Sequence, residues 1–315
     1  MAKISVIIPV YCVEKYIERC ARSLFEQTLD DIEFLFVDDC SPDNSIEVLK
    51  KTLQYYPARE KQTKIIKMSS NSGQAAVRKY GIELASGDYI IHCDSDDWTE
   101  ITMYERMYQA AVVNNADIVI CNYFISSDAS DHKINFEMPS DKNKQMFTNV
   151  STWQKLVSRD IYSKIDFFPT CSMWEDRLIT IQLLYRANIV TYIEEPLYHY
   201  YINDNSICRK FSYQSTLKRF KESSINLQMI EKFVNENNIA SVDKYIFDLK
   251  YQVLVLLAPI TIKKEYYKLW KGTYPEVHKT LLKSNIQSIK KLKYLLTYIR
   301  VFPFIKYLSN YFSLR

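Results

Sequence analysis

Along the first two-thirds of the chain, apolar runs alternate with segments of helical period. Residues 4–11, Ile-Ser-Val-Ile-Ile-Pro-Val-Tyr, form a nearly unbroken apolar run, the pattern of a buried strand. From 13 to 29 the period changes: Ile17, Cys20 and Leu24 recur at three- and four-residue spacing and predict a helix. The alternation then repeats, with strands over 32–37, 64–68, 88–93 and 117–125 and helices over 44–55, 74–85 and 99–114. Asn44 with Glu47 three residues on reads as a capping box, and Ser86-Gly87 as the stop of the 74–85 helix. Such alternation predicts an α/β fold, a doubly wound and mostly parallel sheet with helices on both faces.

After 125 the pattern loosens. Residues 126–149 are polar and predict a loop or hairpin excursion, whereas 151–162 reads as helical. Trp174-Glu175-Asp176 opens a helix over 177–187, and a strand over 189–193 leads through Pro196 to Tyr201. Beyond Phe211 the period is helical to the end, with breaks at Pro259, Pro275 and Pro303. The expected organisation is an α/β domain over 1–210, itself in halves 1–125 and 126–210, and a helical region over 211–315.

Composition narrows the chemistry. Only 4 of 315 residues are glycine, so neither G-x-G-x-x-G nor a P-loop is present, and bound phosphates need another partner. In open α/β sheets ligands bind beyond the carboxyl ends of the strands. Those ends carry Tyr11, Asp38 and Asp39, residues 69–71, and the cluster Asp94-Ser95-Asp96-Asp97. Carboxylates so close together repel unless a cation joins them. Their oxygens suit Mg²⁺ or Mn²⁺, which bind through one or two carboxylates plus substrate phosphates. A solvated acidic turn is the plainer account of the same residues. Glu175 and Asp176 form a second acidic pair at a helix start, where the helix N-terminus favours a carboxylate. They fit a general base or a simple cap. His199, one of four histidines, fits a third metal ligand, a donor to phosphate or a structural residue.

Seven cysteines, an odd number without C-x-x-C spacing, read as reduced thiols of a cytoplasmic protein. The N-terminus lacks the pattern of a signal peptide, and no run is long enough to span a membrane. A net charge of +4 is too small to argue for nucleic acid. From Lys283 to Arg315, however, there is no Asp or Glu, and Ile289, Leu292, Leu296 and Ile299 recur at helical spacing. That tail reads either as a peripheral anchor on the inner face of the cell membrane or as a helix packed on its own core.

Five segments in order resemble one family. They are Ser5-Val-Ile-Ile-Pro-Val-Tyr11, Ser23-Leu-Phe-Glu-Gln-Thr28, Val37-Asp-Asp-Cys-Ser-Pro-Asp-Asn-Ser45, Asn71-Ser-Gly-Gln-Ala-Ala-Val-Arg78, and Ala85-Ser-Gly-Asp-Tyr89 leading to Asp94-Ser-Asp-Asp-Trp98. Together with Trp174-Glu-Asp176 and Glu195-Pro-Leu-Tyr-His-Tyr200 they resemble glycosyltransferase family 2, with its GT-A fold. The resemblance implies an inverting transferase of surface-polysaccharide type. It would use a nucleotide-diphosphate sugar, commonly a UDP-sugar, and a glycan or lipid-linked glycan acceptor. It implies that Pro9, Tyr11 and Glu14 line the nucleotide pocket and that Asp39 accepts from the base ring. Asn71 and Arg78 would lie near the base or diphosphate, and Asp94 and Ser95 on the ribose or sugar side. Asp96 would be the principal ligand of Mn²⁺ or Mg²⁺, with Asp94 and His199 completing the set, and Asp176 the base with Glu175 beside it. Cys12 departs from the usual Asn, Cys40 from Gly, Lys79 from Asn, and Tyr201 stands where an Arg is common, a place Arg209 would fill. A nucleotidyltransferase would place a basic, Gly-rich loop at 11–16, which this chain lacks. An inactive scaffold of the same fold is the remaining alternative, against which the presence of Asp96 and Asp176 speaks.

Overall fold

The structure is a computed structural model that describes residues 2–128, 130–134, 139–202, 212–283 and 289–299. The chain forms two compact units, Met1–Asp204 and Asn205–Arg315.

The first unit is built on one mixed sheet. Its described strands are β1 (Ile4–Val10), β2 (Ile32–Asp38), β3 (Thr63–Lys67), β4 (Tyr89–His92), β5 (Trp98–Thr99), β6 (Ile118–Ser126), β7 (Asp131–Ile134), β8 (Lys155–Ser158) and β9 (Val190–Tyr201). The order is β3-β2-β1-β4-β8-β6-β9-β5, with β7 paired on β6. Strands β1 to β4 are parallel, as are β6 and β9. β8 runs antiparallel to both β4 and β6 and joins the two parallel blocks.

The helices of this unit are α1 (Ile17–Phe25), α2 (Ser45–Leu53), α3 (Gln74–Leu84), α4 (Met103–Asn114), α5 (Lys142–Thr148), α6 (Arg159–Tyr162) and α7 (Glu175–Arg186). β1 explains why both faces are covered. Ile4, Val6, Ile8 and Val10 share a core with Ile17, Cys20, Ala21 and Leu24 of α1. Ile7 points the other way and meets α3, where a Cβ on Gly81 would stand 2.4 Å from the Ile7 side chain. α3 therefore needs Gly81 to lie this close to the sheet.

Four local expectations change. Residues 151–162 are not one helix: β8 occupies 155–158, because Leu156 and Val157 fill a slot between β4 and β6 at full burial. The helix expected over 99–114 starts at Met103, since Trp98 and Thr99 pair with β9. Asn44 precedes α2 without a side-chain cap. Asp43 instead accepts from Ser45 N–H, and Glu14 accepts from the Asn44 N–H at 3.0 Å. Gly87 is no left-handed stop, as Gly73 alone among the glycines has positive φ. A Cβ on Gly87 would stand 2.6 Å from the Ser5 nitrogen, so close approach to β1 selects glycine there.

The second unit contains α8 (Tyr213–Glu236), α9 (Asp243–Leu257), α10 (Lys264–Gly272), α11 (Pro275–Lys283) and α12 (Ile289–Tyr298). A true capping box starts α8, where Ser212 and Ser215 exchange side-chain-to-backbone bonds. Trp270 lies at its core, its indole N–H donating to the Leu254 carbonyl at 3.2 Å. Arg209, Cys208, Pro303 and the tail beyond 299 lie outside the described residues.

Candidate active site

The carboxyl ends of β1, β2 and β4 converge with the start of α7. β1 ends at Val10, leaving Tyr11 exposed, with Pro9 half-buried behind it. Cys12 and Cys40 both have left-handed backbones, φ +54° and +57°. That conformation is why Asn and Gly suit these positions, and cysteine meets it here at some strain. Asp39 is buried, and its two oxygens accept from the Ser72 and Gly73 N–H groups at 2.7 and 2.9 Å. It thereby fixes the loop that carries Asn71, which is exposed. Glu14 holds the start of α2 through Asn44, which places it on the pocket's outer wall.

The acidic turn after β4 is divided in function. Asp94 is half-buried and accepts from Arg78 Nη2 at 2.7 Å and from Gln74 Nε2 at 3.2 Å. Asp96 is half-buried and Ser95 buried. Asp97 turns inward, away from any cation: it accepts from Tyr198 Oη at 2.6 Å and from the Tyr201 N–H at 2.7 Å. Burial, with the neighbouring Asp96 and Asp94 charges, pushes its carboxyl well above the usual range. Asp97 therefore ties the turn to β9, and Asp94 and Asp96 are the half-buried carboxylates of the cluster. Tyr198 completes the tie, since its hydroxyl also accepts from the Asp94 N–H at 3.1 Å. Extra residues in β9 opposite Asn122 aim Tyr198 there, and the Asn122 amide donates to the Glu194 carbonyl of that bulge.

His199 has other partners than the metal set the resemblance implies. Its ring is stacked between Trp98 and Phe124, at 4.7 and 4.6 Å. Nε2 meets Glu100 at 2.8 Å and Nδ1 meets Ser126 Oγ at 3.0 Å. A metal role would require it to leave one of them. Among the described residues no three His, Cys, Asp or Glu groups converge to hold a cation alone. Asp94 and Asp96 fit Mg²⁺ or Mn²⁺ only together with a substrate's phosphates, which would supply the remaining oxygens.

Across the cleft, α7 presents Glu175 and Asp176. Trp174, just before it, has φ +68°, a costly conformation for so bulky a residue and a mark of an imposed turn. The loop leading there touches α3: a Cβ on Gly73 would lie 2.7 Å from Ser172 Oγ. Burial raises Glu175 to about 8, Asp176 adds to the rise, and Arg78 opposes it. Burial also raises Asp176, against the pull of Arg78 and the Arg177 N–H that donates to it at 2.7 Å.

Arg78 joins the two halves. It is 2% exposed and reaches Asp94 at 2.7 Å and Glu175 at 3.6 Å. Burial disfavours its charge, but Asp94, Glu175 and Asp176 more than compensate and raise its pKa. Its Nε and Nη1 are buried without a hydrogen-bond acceptor. Such donors at a cleft fit incoming sugar or phosphate oxygens.

Three contributors escaped the sequence reading. Arg19 of α1 lies 3.7 Å over Trp98 and 4.5 Å over Tyr201, and donates to the Asp96 carbonyl at 3.3 Å. Lys155 is buried, donates to Asn149 Oδ1 at 2.6 Å and to the Ser151 carbonyl, and is lowered by burial to about 7 despite the Asp176 charge. Tyr198 is the third. The sequence offered no signal for them, since each depends on residues far apart in the chain.

A mixed sheet with an acidic strand-end turn facing a helix-borne carboxylate is the layout of a transferase acting on nucleotide-activated sugars. The profile of glycosyl transferase family 2 matches residues 5–178, and the chain belongs to that family. It is 31% identical over 251 residues to the putative glycosyltransferase EpsH of Bacillus subtilis, covering 75% of this chain and 70% of that one. It is 30% identical over 227 residues to glycosyltransferase GlyA of Streptococcus pneumoniae, 66% of this chain and 32% of that one. Its fold is similar to that of TarS 1–349 of S. aureus in complex with UDP-GlcNAc, with TM-score 0.60 and 16% identity over 91% of this chain and 93% of that one. It is also similar to the mannosyltransferase PcManGT of Pyrobaculum calidifontis in complex with GDP-Man and Mn²⁺, with TM-score 0.55 and 12% identity over 95% and 80% of the two chains.

Proposed function

We propose that this glycosyltransferase moves a sugar from a UDP-sugar to a glycan hydroxyl with inversion, in one displacement. The observation that carries the reading is Arg78, a buried guanidinium that spans Asp94 and Glu175 and keeps hydrogen-bonding capacity at Nη1. In that reaction Asp176 takes the proton of the acceptor hydroxyl. The acceptor oxygen forms a bond to the anomeric carbon, and the bond to the diphosphate oxygen breaks with its electron pair leaving on UDP. A divalent cation held by Asp94, Asp96 and the donor's phosphates would neutralise part of that charge. Arg78 orients the donor, and Asp39 and Tyr11 meet the nucleoside. The similarity to a fold whose crystal carries UDP-GlcNAc supports the uridine preference.

Calorimetric titration of UDP, GDP and dTDP, with and without Mn²⁺, tests this. Mn²⁺-dependent UDP binding that is lost in Asp96→Ala is the expected result. Absence of binding by all three nucleotides under both conditions overturns it. The same titration reads Arg19. Arg19→Ala should weaken Mn²⁺-dependent UDP binding roughly tenfold, as removal of a group supporting a ligand does. Arg19→Lys, which keeps the charge but not the stacked plane, should recover only part. An unchanged affinity in Arg19→Ala would show that the Asp96 carbonyl bond does not shape the turn.

A further inference from the structure

The two units carry opposite charge. Residues 1–204 hold 21 Lys and Arg against 30 Asp and Glu, a formal −9. Residues 205–315 hold 20 against 7, a formal +13. Among the described residues of the second unit, one exposed part of that excess lies on α10 and the residue before it. Lys263, Lys264, Lys268 and Lys271 are all exposed, with Glu265 the one acidic residue among them. Lys250, by contrast, is neutralised, 2.9 Å from Glu231 and 2.8 Å from Glu276. Among the described residues, none of the four α10 lysines lies within ion-pair distance of a carboxylate. Two of them rest on tyrosine rings. Lys263 Nζ is 4.3 Å over Tyr213, and Lys271 Nζ is 4.6 Å over Tyr298 and 5.2 Å over Tyr267. The Tyr267 hydroxyl donates to the Tyr298 carbonyl at 2.7 Å, which joins α10 to α12 in one surface. Leu269 and Leu292 on these helices, and Ile299 just past α12, are exposed.

We propose that this Lys- and Tyr-bearing face of α10 and α12 docks on the anionic phospholipid of a membrane leaflet. The inference goes beyond the transferase reading and does not depend on the sugar or the metal. Three observations favour lipid over another polyanion. Unpaired lysines on long apolar stems meet headgroup phosphates while the stems stay in less polar surroundings. Tyrosine belongs at headgroup depth, where its ring is half apolar and its hydroxyl wet. Exposed Leu and Ile beside them gain from the acyl boundary and would gain nothing from a hydrophilic chain. Trp270 faces inward, so insertion is limited to the exposed Leu and Ile side chains, and the contact rests mainly on the lysines and falls with salt. Among the described residues no helix is long and apolar enough to cross a membrane.

The test is co-sedimentation of the full chain with vesicles of phosphatidylcholine alone and of phosphatidylcholine with phosphatidylglycerol. The expected result is binding to the anionic vesicles only, lost at high salt. The variant Lys263→Glu, Lys264→Glu, Lys268→Glu, Lys271→Glu should lower the bound fraction at least about tenfold, consistent with the loss of four headgroup contacts. Its thermal midpoint and UDP titration should stay at wild-type values. Equal numbers of reversals at the exposed Lys221, Lys232, Lys244 and Lys279 serve as control. The proposal is overturned if wild-type protein ignores anionic vesicles, if the control loses binding equally, or if the α10 variant keeps it. Binding to soluble polyphosphate without binding to vesicles overturns it too, in favour of a polyanionic glycan partner.

Discussion

Asp176→Asn should lower turnover by roughly a thousandfold, the usual worth of a positioned general base, and leave UDP affinity unchanged. Asp176 opens α7 across the cleft from Asp94, with Arg78 between the two acidic groups. The amide keeps the shape and cannot take a proton. Burial raises the Asp176 pKa, so the acid limb of the wild-type kcat/KM profile should lie above the ordinary aspartate range. Activity falls as pH drops through that raised value, because only the ionised carboxylate is a base. The same burial makes the charge costly to fold around, so the Asn variant should melt at or above the wild-type temperature. A steady-state assay, calorimetry and a melting curve separate these outcomes. Turnover within a few-fold of wild type would remove Asp176 from the chemistry.

Arg78→Met should be the most destabilising change at the site, by about 3–5 kcal/mol, the range for removing one partner of a buried ion pair. The guanidinium is 2% exposed and faces Asp94 and Glu175, the second 7% exposed. Taking it away leaves two carboxylates and a nearby Asp176 without their cation. For a unit of this size the midpoint should drop by roughly 10 °C. Adding Glu175→Gln to Arg78→Met should restore part of the loss above about pH 8, where Glu175 is ionised, and the double-mutant cycle measures that coupling. A melting temperature unchanged in the single variant would mean that Arg78 does not hold the two halves together.

Apart from β5, the order of strands and helices up to residue 125 was legible because each element carries its own period. β1 reads as a buried strand from its apolar run, and α1 as a helix from Ile17, Cys20 and Leu24. The acidic turn and the α7 start were legible for the same reason: they sit at element boundaries, where carboxylates stand out against apolar runs. β8 was not legible. Its four residues have no period of their own, and what makes them a strand is the slot between β4 and β6.

The division of labour inside the acidic turn was equally hidden. Asp94, Asp96 and Asp97 are the same chemistry in sequence, and one of them became structural because the β9 bulge brings Tyr198 and the Tyr201 N–H to it. Arg19, Lys155 and the Arg78 bridge follow the same rule. A side chain's type fixes what it can donate or accept. Which oxygen it meets is decided by packing that brings distant segments within 3 Å, and no local pattern encodes that distance. The sequence by itself therefore determined most elements of the first half and which side chains stand at their boundaries. Tertiary structure alone decided which carboxylates face the cleft and which cation holds them there.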